Sequence, residues 1–291
     1  HLVEIGLECR RPRDRFLATM HYQARDRAPR GEMGYWDETL ARWQREGMDA
    51  EPDAFFGYDF VRELVPVEQG LYPPFPTETL EDTASHRIVR QPDGTVVREY
   101  KNRTSFPQWL EYPLKNRSDW EQDILPLLDA SSPGRYPADW DARVPGWRDR
   151  TTPLDLKLGS IYGMLRNWMG LEAISLSIYD DPVWVAEKMR HMADLVCGLG
   201  ERALRDVDLD YVLTWEDMAG KNGLLLPPAL VREMMLGPYQ QLTGFINDHG
   251  VDLIFADSDG NIDELIELWM EGGVTGVYPL ERAAGMDPAC G

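Results

Sequence analysis

From Leu154 onward, short apolar runs of strand length alternate with longer amphipathic runs of helix length. This alternation constrains the fold more than any other feature. Its clearest instance lies near the end: Val251-Asp-Leu-Ile-Phe-Ala-Asp-Ser-Asp-Gly-Asn261, a helical run, then Gly276-Val-Tyr-Pro-Leu-Glu281. Repeated βα units predict a parallel sheet with right-handed crossovers. Both apolar runs end in acids, and an α/β barrel presents its reactive groups at the C-terminal ends of its strands.

The units are strands over Leu154–Leu158, Tyr211–Trp215, Val251–Ala256 and Val274–Pro279. The helices between them are a run up to Trp168, one opened by Asp181-Pro182 and reaching Leu204, one over Pro228–Gly250 and one over Ile262–Gly272. Earlier in the chain, Pro12–Gln23 reads as a helix, with Pro in its first turn. Asp37–Gly47 reads as another, with Asp37 as N-cap and Gly47 as C-cap. Strand-like pieces lie at Arg30–Trp36 and Asp59–Pro66. Arg87–Tyr100 reads as a hairpin around Asp93-Gly94, an excursion from the main fold. Residues 129–153, rich in Pro, Gly, Asp and Arg, read as a long loop.

Composition narrows the function. The net charge is -20, which argues against nucleic acid and anionic membranes, since both need a positive footprint. No run reaches the length of a membrane span. Cys9, Cys197 and Cys290 are too few and too scattered for a disulfide framework or zinc ribbon, and a reducing, cytoplasmic setting is expected. The first residues are too acidic for a signal peptide, and no initiator Met precedes them.

Acids recur where the strands end: Glu32, then Glu216 and Asp217, then Asp257 and Asp259, then Glu281. Carboxylates gathered in one concave site need a cation, a shared proton or a cationic substrate, otherwise their pKa values rise. Oxygen ligands suit hard divalent metals, with zinc also open. Acids at strand ends also serve as N-caps and Asx turns, and Asp259-Gly260-Asn261 before Ile262 suits that role as well. Tyr162, Arg166, Asn167 and Lys221 follow strands and are candidates for substrate contact, or ordinary turn residues.

The chain resembles the uroporphyrinogen decarboxylase family, from about Arg11 to Pro288. The resemblance rests on Arg13-Asp-Arg-Phe-Leu17, Asp26-Arg-Ala-Pro29, and Gly34-Tyr-Trp-Asp-Glu-Thr-Leu40 with Trp43 and Glu46-Gly47. It continues through Ser105-Phe-Pro-Gln-Trp-Leu-Glu111, Trp215-Glu-Asp-Met-Ala-Gly220, Asp257-Ser-Asp-Gly260 and Pro279-Leu-Glu281. It implies a single (β/α)8 barrel over residues 1–291 and one of two chemistries. The namesake decarboxylates a tetrapyrrole without a cofactor. A second branch transfers methyl groups between a corrinoid, carried by a partner protein, and a thiol, using zinc.

Departures matter too. The namesake's Arg-rich substrate-binding segment is here Gly31–Trp36, with Glu32 and no Arg. The family's Tyr after the third strand is replaced by Asn167 or Trp168, and its Ser matches Asp217. The methyltransferase His-x-Cys appears as Asp257-Ser-Asp259, and Cys290 falls too early for the last zinc ligand. About six of the eight strands are accounted for, so a C-terminally truncated barrel is expected. The leading expectation is metal-assisted methyl transfer, with Glu216, Asp217, Tyr162 and Lys221 catalytic, Glu32, Trp36, Arg166 and Asn167 on the substrate, and Asp257, Asp259 and Glu281 on a divalent metal. The alternatives are porphyrinogen decarboxylation without a cofactor and a non-catalytic barrel fragment; a homodimer is compatible with each.

Overall fold

A computed structural model describes residues 11–32, 34–102 and 106–287. In chain order the strands are β1 (Gly31–Glu32), β2 (Phe60–Val61), β3 (Glu63–Leu64), β4 (Glu78–Asp82), β5 (His86–Arg90), β6 (Val96–Tyr100), β7 (Gln108–Glu111), β8 (Leu154–Lys157), β9 (Tyr211–Trp215), β10 (Ala219–Gly220), β11 (Gly223–Leu224), β12 (Ile254–Asp257) and β13 (Gly276–Tyr278). The helices are α1 (Pro12–Met20), α2 (Asp37–Glu46), α3 (Pro52–Phe56), α4 (Arg117–Asp119), α5 (Trp140–Arg148), α6 (Gly163–Met169), α7 (Leu171–Asp180), α8 (Pro182–Asp206), α9 (Pro228–Asp248) and α10 (Asp263–Glu271).

The βα rhythm produces the parallel sheet it implies. Its order is β13-β12-β9-β8-β3, and every neighbouring pair is parallel. β1 and β2 form a further parallel pair next in sequence to β3. Side chains alternate across a strand. Leu154 and Leu156 of β8, with Leu158 beyond it, pack outward with Val212 and Ile254 against α5, α8 and α9. Burying each of these fully contributes roughly 1.5–3 kcal/mol. The same period turns Asp155 and Lys157 to the opposite, inner face. Register places Lys157 beside Leu213, Trp215 beside Asp257, and Asp257 beside Tyr278. Gly276 is required on this face, since a Cβ there would stand 2.3 Å from the Phe255 ring.

α8 starts where Asp181 accepts the Trp184 N–H at 3.3 Å, with Pro182 at its first position, and it buries Met189, Met192, Val196 and Leu199 along one stripe. The sequence stretches Arg13–Leu17 and Asp26–Pro29 serve to tie this frame together. Arg15, almost fully buried, bonds Asp26 and Asp59, and Arg13 reaches Asp210 at 2.7 Å.

Between β3 and β8 the chain leaves the parallel sheet and builds an antiparallel one, β4-β5-β6-β7. Its central turn is the expected Asp93-Gly94: Gly94 sits at φ 82°, and Asp93 accepts both the N–H and the hydroxyl of Thr95. The sequence showed two of the four strands; β4 and β7 are polar and mostly exposed, so no apolar alternation marks them.

Two expectations need correction. Residues 129–153 are not a plain loop: they contain α5, whose Trp140 and Trp147 are both buried and lie two turns apart on one face. The charged residues around them mask that spacing. Asp37 is the first helical residue rather than the N-cap, which is Trp36, with no side-chain bond; Gly47 does end the helix, at φ 110°.

Among the described residues the parallel strands do not close on themselves: β13 pairs only with β12, and β1 only with β2. A cavity of ≈ 890 Å³ lies inside the curve, walled by Phe16 and Met20 of α1 and by Phe60, Tyr211, Phe255 and Tyr278. No helix among the described residues is long and apolar enough to cross a membrane.

Candidate active site

The C-terminal ends of β8, β9, β12 and β13 define one mouth. Strand alternation decides which side chains enter it. Trp215, the last residue of β9, points in; Glu216 and Asp217 lie beyond the strand, where Glu216 turns to the start of α6 and Asp217 to Asp259. Glu216 is fully buried. Its carboxylate accepts the Ser160 hydroxyl at 2.8 Å and the N–H groups of Ile161, Tyr162 and Gly163 at 2.9, 2.9 and 3.0 Å. These are the leading donors of α6, so Glu216 anchors the loop and helix that carry Arg166 and Asn167.

Asp217 occupies the left-handed region at φ 48°, a conformation that costs a non-glycine residue about 1–3 kcal/mol. The surroundings hold it there. The N–H groups of Glu216 and Asp217 both reach the Asp257 carbonyl, at 2.9 and 3.4 Å. Arg166 donates to the Asp217 carbonyl and has Nη2 3.6 Å from its Oδ2. Oδ1 of Asp217 accepts the Asp259 N–H at 3.3 Å.

Asp257, between Asp217 and Tyr278, is pushed up to about 6. Burial is the main cause and the Asp217 charge adds to it, while Lys157 and the Tyr278 hydroxyl pull the other way. Asp259 is raised for the same reasons, burial and then Asp217 and Glu281. Lys157 is lowered by desolvation, against the attraction of Asp257 and Asp217. The residue as a whole is exposed. The Trp215 ring carries both cations, Lys157 Nζ at 5.7 Å and the Arg166 guanidinium at 5.3 Å from its centroid. Beside them opens a pocket of ≈ 460 Å³ walled by Lys157, Trp215, Gln69, Met164, Asn167 and Trp168.

The mouth therefore gathers Asp217, Asp257, Asp259, Glu281, Arg166 and Asn167 from the expected set. Others lie elsewhere. Tyr162 is fully buried beneath α6, its hydroxyl pushed up to about 12 by burial and without a partner among the described residues. Lys221 sits exposed on the turn between β10 and β11. Glu32 lines the larger cavity and accepts the Gly34 N–H at 3.2 Å. Trp36 is exposed and meets Phe106 edge-on at 5.7 Å. The three expected metal ligands do not assemble. Glu281 instead accepts the Gly260 N–H at 2.7 Å, and among the described residues no group of three or more His, Cys, Asp or Glu is placed to hold a metal ion. Cys290 lies outside the described residues.

Lys157, Trp215 and Tyr278 are absent from the expected set. The signal for Lys157 was present in Leu154-Asp-Leu-Lys-Leu158: charges alternating with leucines put two ionisable groups on the face away from the helices.

The Asp257 environment has a measurable consequence. The folded chain holds this proton to about pH 6, whereas an ordinary Asp releases it near 3.8. The favourable contribution is complete below about pH 4 and is lost as pH rises through 6. Discounted for partial exposure, the ionised group costs about 1–2 kcal/mol. Asp257→Asn is expected to raise the melting temperature by about 3–6 °C at pH 7.5 and to leave it unchanged at pH 4. Equal melting shifts at both pH values would remove the electrostatic cause.

No family model matches the sequence, and no curated protein does. Among solved structures, a methyltransferase from Methanosarcina mazei is similar to this chain with a TM-score of 0.49 and 12% identity, over 92% of this chain and 75% of that one.

Proposed function

We propose that this chain is an acid–base enzyme built on a (β/α)8-type barrel related to the uroporphyrinogen decarboxylase family, and that it decarboxylates a small carboxylated molecule. The five-stranded parallel sheet and the parallel β1–β2 pair, with helices between most of their strands, support the barrel reading. One observation carries the chemistry: at the C-terminal edge of the sheet the Asp257 carboxyl, pushed up to about 6 by burial, stands in register with Trp215, whose ring also carries Lys157. Such a group is partly protonated at neutral pH and suits proton delivery to carbon after carbon dioxide leaves. Arg166, over Trp215, supplies a positive charge that holds the substrate carboxylate until it leaves as neutral carbon dioxide. Carbon dioxide release should be measured from uroporphyrinogen and from a panel of 2-oxo and 3-oxo acids. Turnover of at least one is expected, with Asp257→Asn slowing it about 100-fold or more. Full activity in that variant would overturn the role of Asp257, and inertness toward the whole panel would overturn decarboxylation.

Corrinoid-linked methyl transfer, with a corrinoid protein as partner, is the second reading. It is favoured by the raised pKa values of Asp257 and Asp259, since a bound cation would relieve that repulsion. It needs ligands beyond those the described residues bring together. Calorimetry with zinc alone separates the two: stoichiometric binding that disappears in Asp257→Asn, Asp259→Asn supports methyl transfer.

A further inference from the structure

Lys157 is the ionisable side chain of the mouth least explained by structure. Leu154 and Leu156 of β8 are buried and pack outward, and of the two inner-face residues Asp155 is buried while Lys157 is exposed at the mouth end. Among the described residues its Nζ forms no hydrogen bond or close ion pair; its contact is the face of Trp215 at 5.7 Å. It borders a pocket of ≈ 460 Å³, large enough for a small metabolite, with Glu68, Gln69, Asp93 and Asn167 as the other polar groups in the wall. Asp257 lies across the neighbouring strand in register with Trp215.

We propose that Lys157 is a covalent nucleophile that forms an imine with a ketone or aldehyde substrate, with Asp257 as the proton donor. This rests on the acid–base reading above and names its substrate class, a carbonyl compound such as a 3-oxo acid. The Nζ lone pair forms the C–N bond while the carbonyl π pair moves to oxygen, and Asp257 shuttles the proton from nitrogen to that oxygen. The carbinolamine then loses its oxygen as water, with a proton from Asp257, leaving an iminium and the Asp257 carboxylate. In a 3-oxo acid the electron pair of the bond to the carboxylate flows into the iminium, giving carbon dioxide and an enamine. The enamine carbon takes a proton, delivered through Asp257 from solvent, and water hydrolyses the iminium to free Lys157. An amine on the pocket wall with no hydrogen-bond partner among the described residues, with Asp257 at the same mouth in register with Trp215, has the pairing this chemistry needs: a nucleophile and an acid.

The test is reductive trapping with acetone and sodium cyanoborohydride at pH 7, which converts an iminium into an isopropyl-amine that mass spectrometry locates. Acetone carries no carboxylate, so trapping is read independently of carbon dioxide release. The chain has five lysines, and exposed Lys221 serves as the internal reference. Lys157 is expected to be modified at least tenfold faster than Lys221. Asp257→Asn should slow that modification at least tenfold while leaving Lys221 unchanged. Equal modification of Lys157 and Lys221, or none at Lys157, overturns the proposal even if a 3-oxo acid is decarboxylated. Trapping at Lys157 without carbon dioxide release from any acid supports the imine and overturns the decarboxylation reading alone. An unchanged rate in Asp257→Asn overturns the assignment of Asp257 as proton donor.

Discussion

Glu216→Ala is expected to be among the most destabilising single substitutions outside the apolar core, at about 3–5 kcal/mol. The carboxylate is fully buried and satisfies the Ser160 hydroxyl and three successive N–H groups at the start of α6. Truncation leaves all four donors without a partner in a site that Tyr239 and Ile161 help keep dry. A drop of about 6–15 °C in melting temperature follows for a chain of this size. Glu216→Gln keeps one acceptor oxygen but turns an amide toward donors, so an intermediate loss is expected. The measurement is thermal unfolding of the three proteins at pH 7. If Glu216→Ala melts within a degree or two of the parent, the anchoring role is wrong and Glu216 is free to serve the mouth.

Breaking the buried pair on the inner face should cost as much. Asp155 is fully buried, and Arg62 donates from Nε to both of its oxygens at 3.1 Å and from Nη2 to one. Burial works against the Arg62 charge, but the bond to Asp155 prevails and holds the guanidinium above its ordinary range. Asp155→Leu strands a buried cation and is expected to cost about 3–5 kcal/mol. Arg62→Met with Asp155→Leu removes both charges together, and the double variant should recover most of that loss. A double-mutant cycle in urea reads the coupling directly. Additive losses, with no recovery in the double variant, would mean that the two side chains act separately.

Sequence patterns made the parallel sheet legible because apolar strand residues must face the helices, and Leu154, Leu156, Val212 and Ile254 do. The same patterns misplaced part of the site. Glu216 and Asp217 follow β9 directly, but the backbone leaves the extended conformation at Asp217, φ 48°, so Glu216 turns to the start of α6 while Asp217 stays at the mouth. Counting acids at strand ends found the right neighbourhood but could not choose among them, whereas the two-residue period within the strands marks the inner face. That period also singles out Lys157, which composition hides among thirty basic residues. Tyr162 follows a strand in sequence, but the loop bends it under α6, and no local signal records that turn. The edge strands β4 and β7 remained unseen because a polar, exposed strand carries no apolar period.

The antiparallel sheet between β3 and β8 also bears on the order in which the chain folds. Pairing Leu64 with Asp155 closes a loop that contains the whole of that sheet. An open chain of that length pays loop-closure entropy that grows with the logarithm of its length, about 0.6 kcal/mol for each doubling. The β4–β7 hairpins close locally, so folding them first shortens the effective tether between β3 and β8. The strands β8, β9 and β12, linked through α8 and α9, have shorter separations, and only the short β10–β11 pair is inserted among them. Two nuclei are therefore expected, the hairpin sheet and the β8–β12 unit, with the β3–β8 ladder as the seam where they meet. Hydrogen exchange during refolding should protect Val89, Val97, Val212 and Ile254 before Val65, whose N–H bonds the Asp155 carbonyl across that seam.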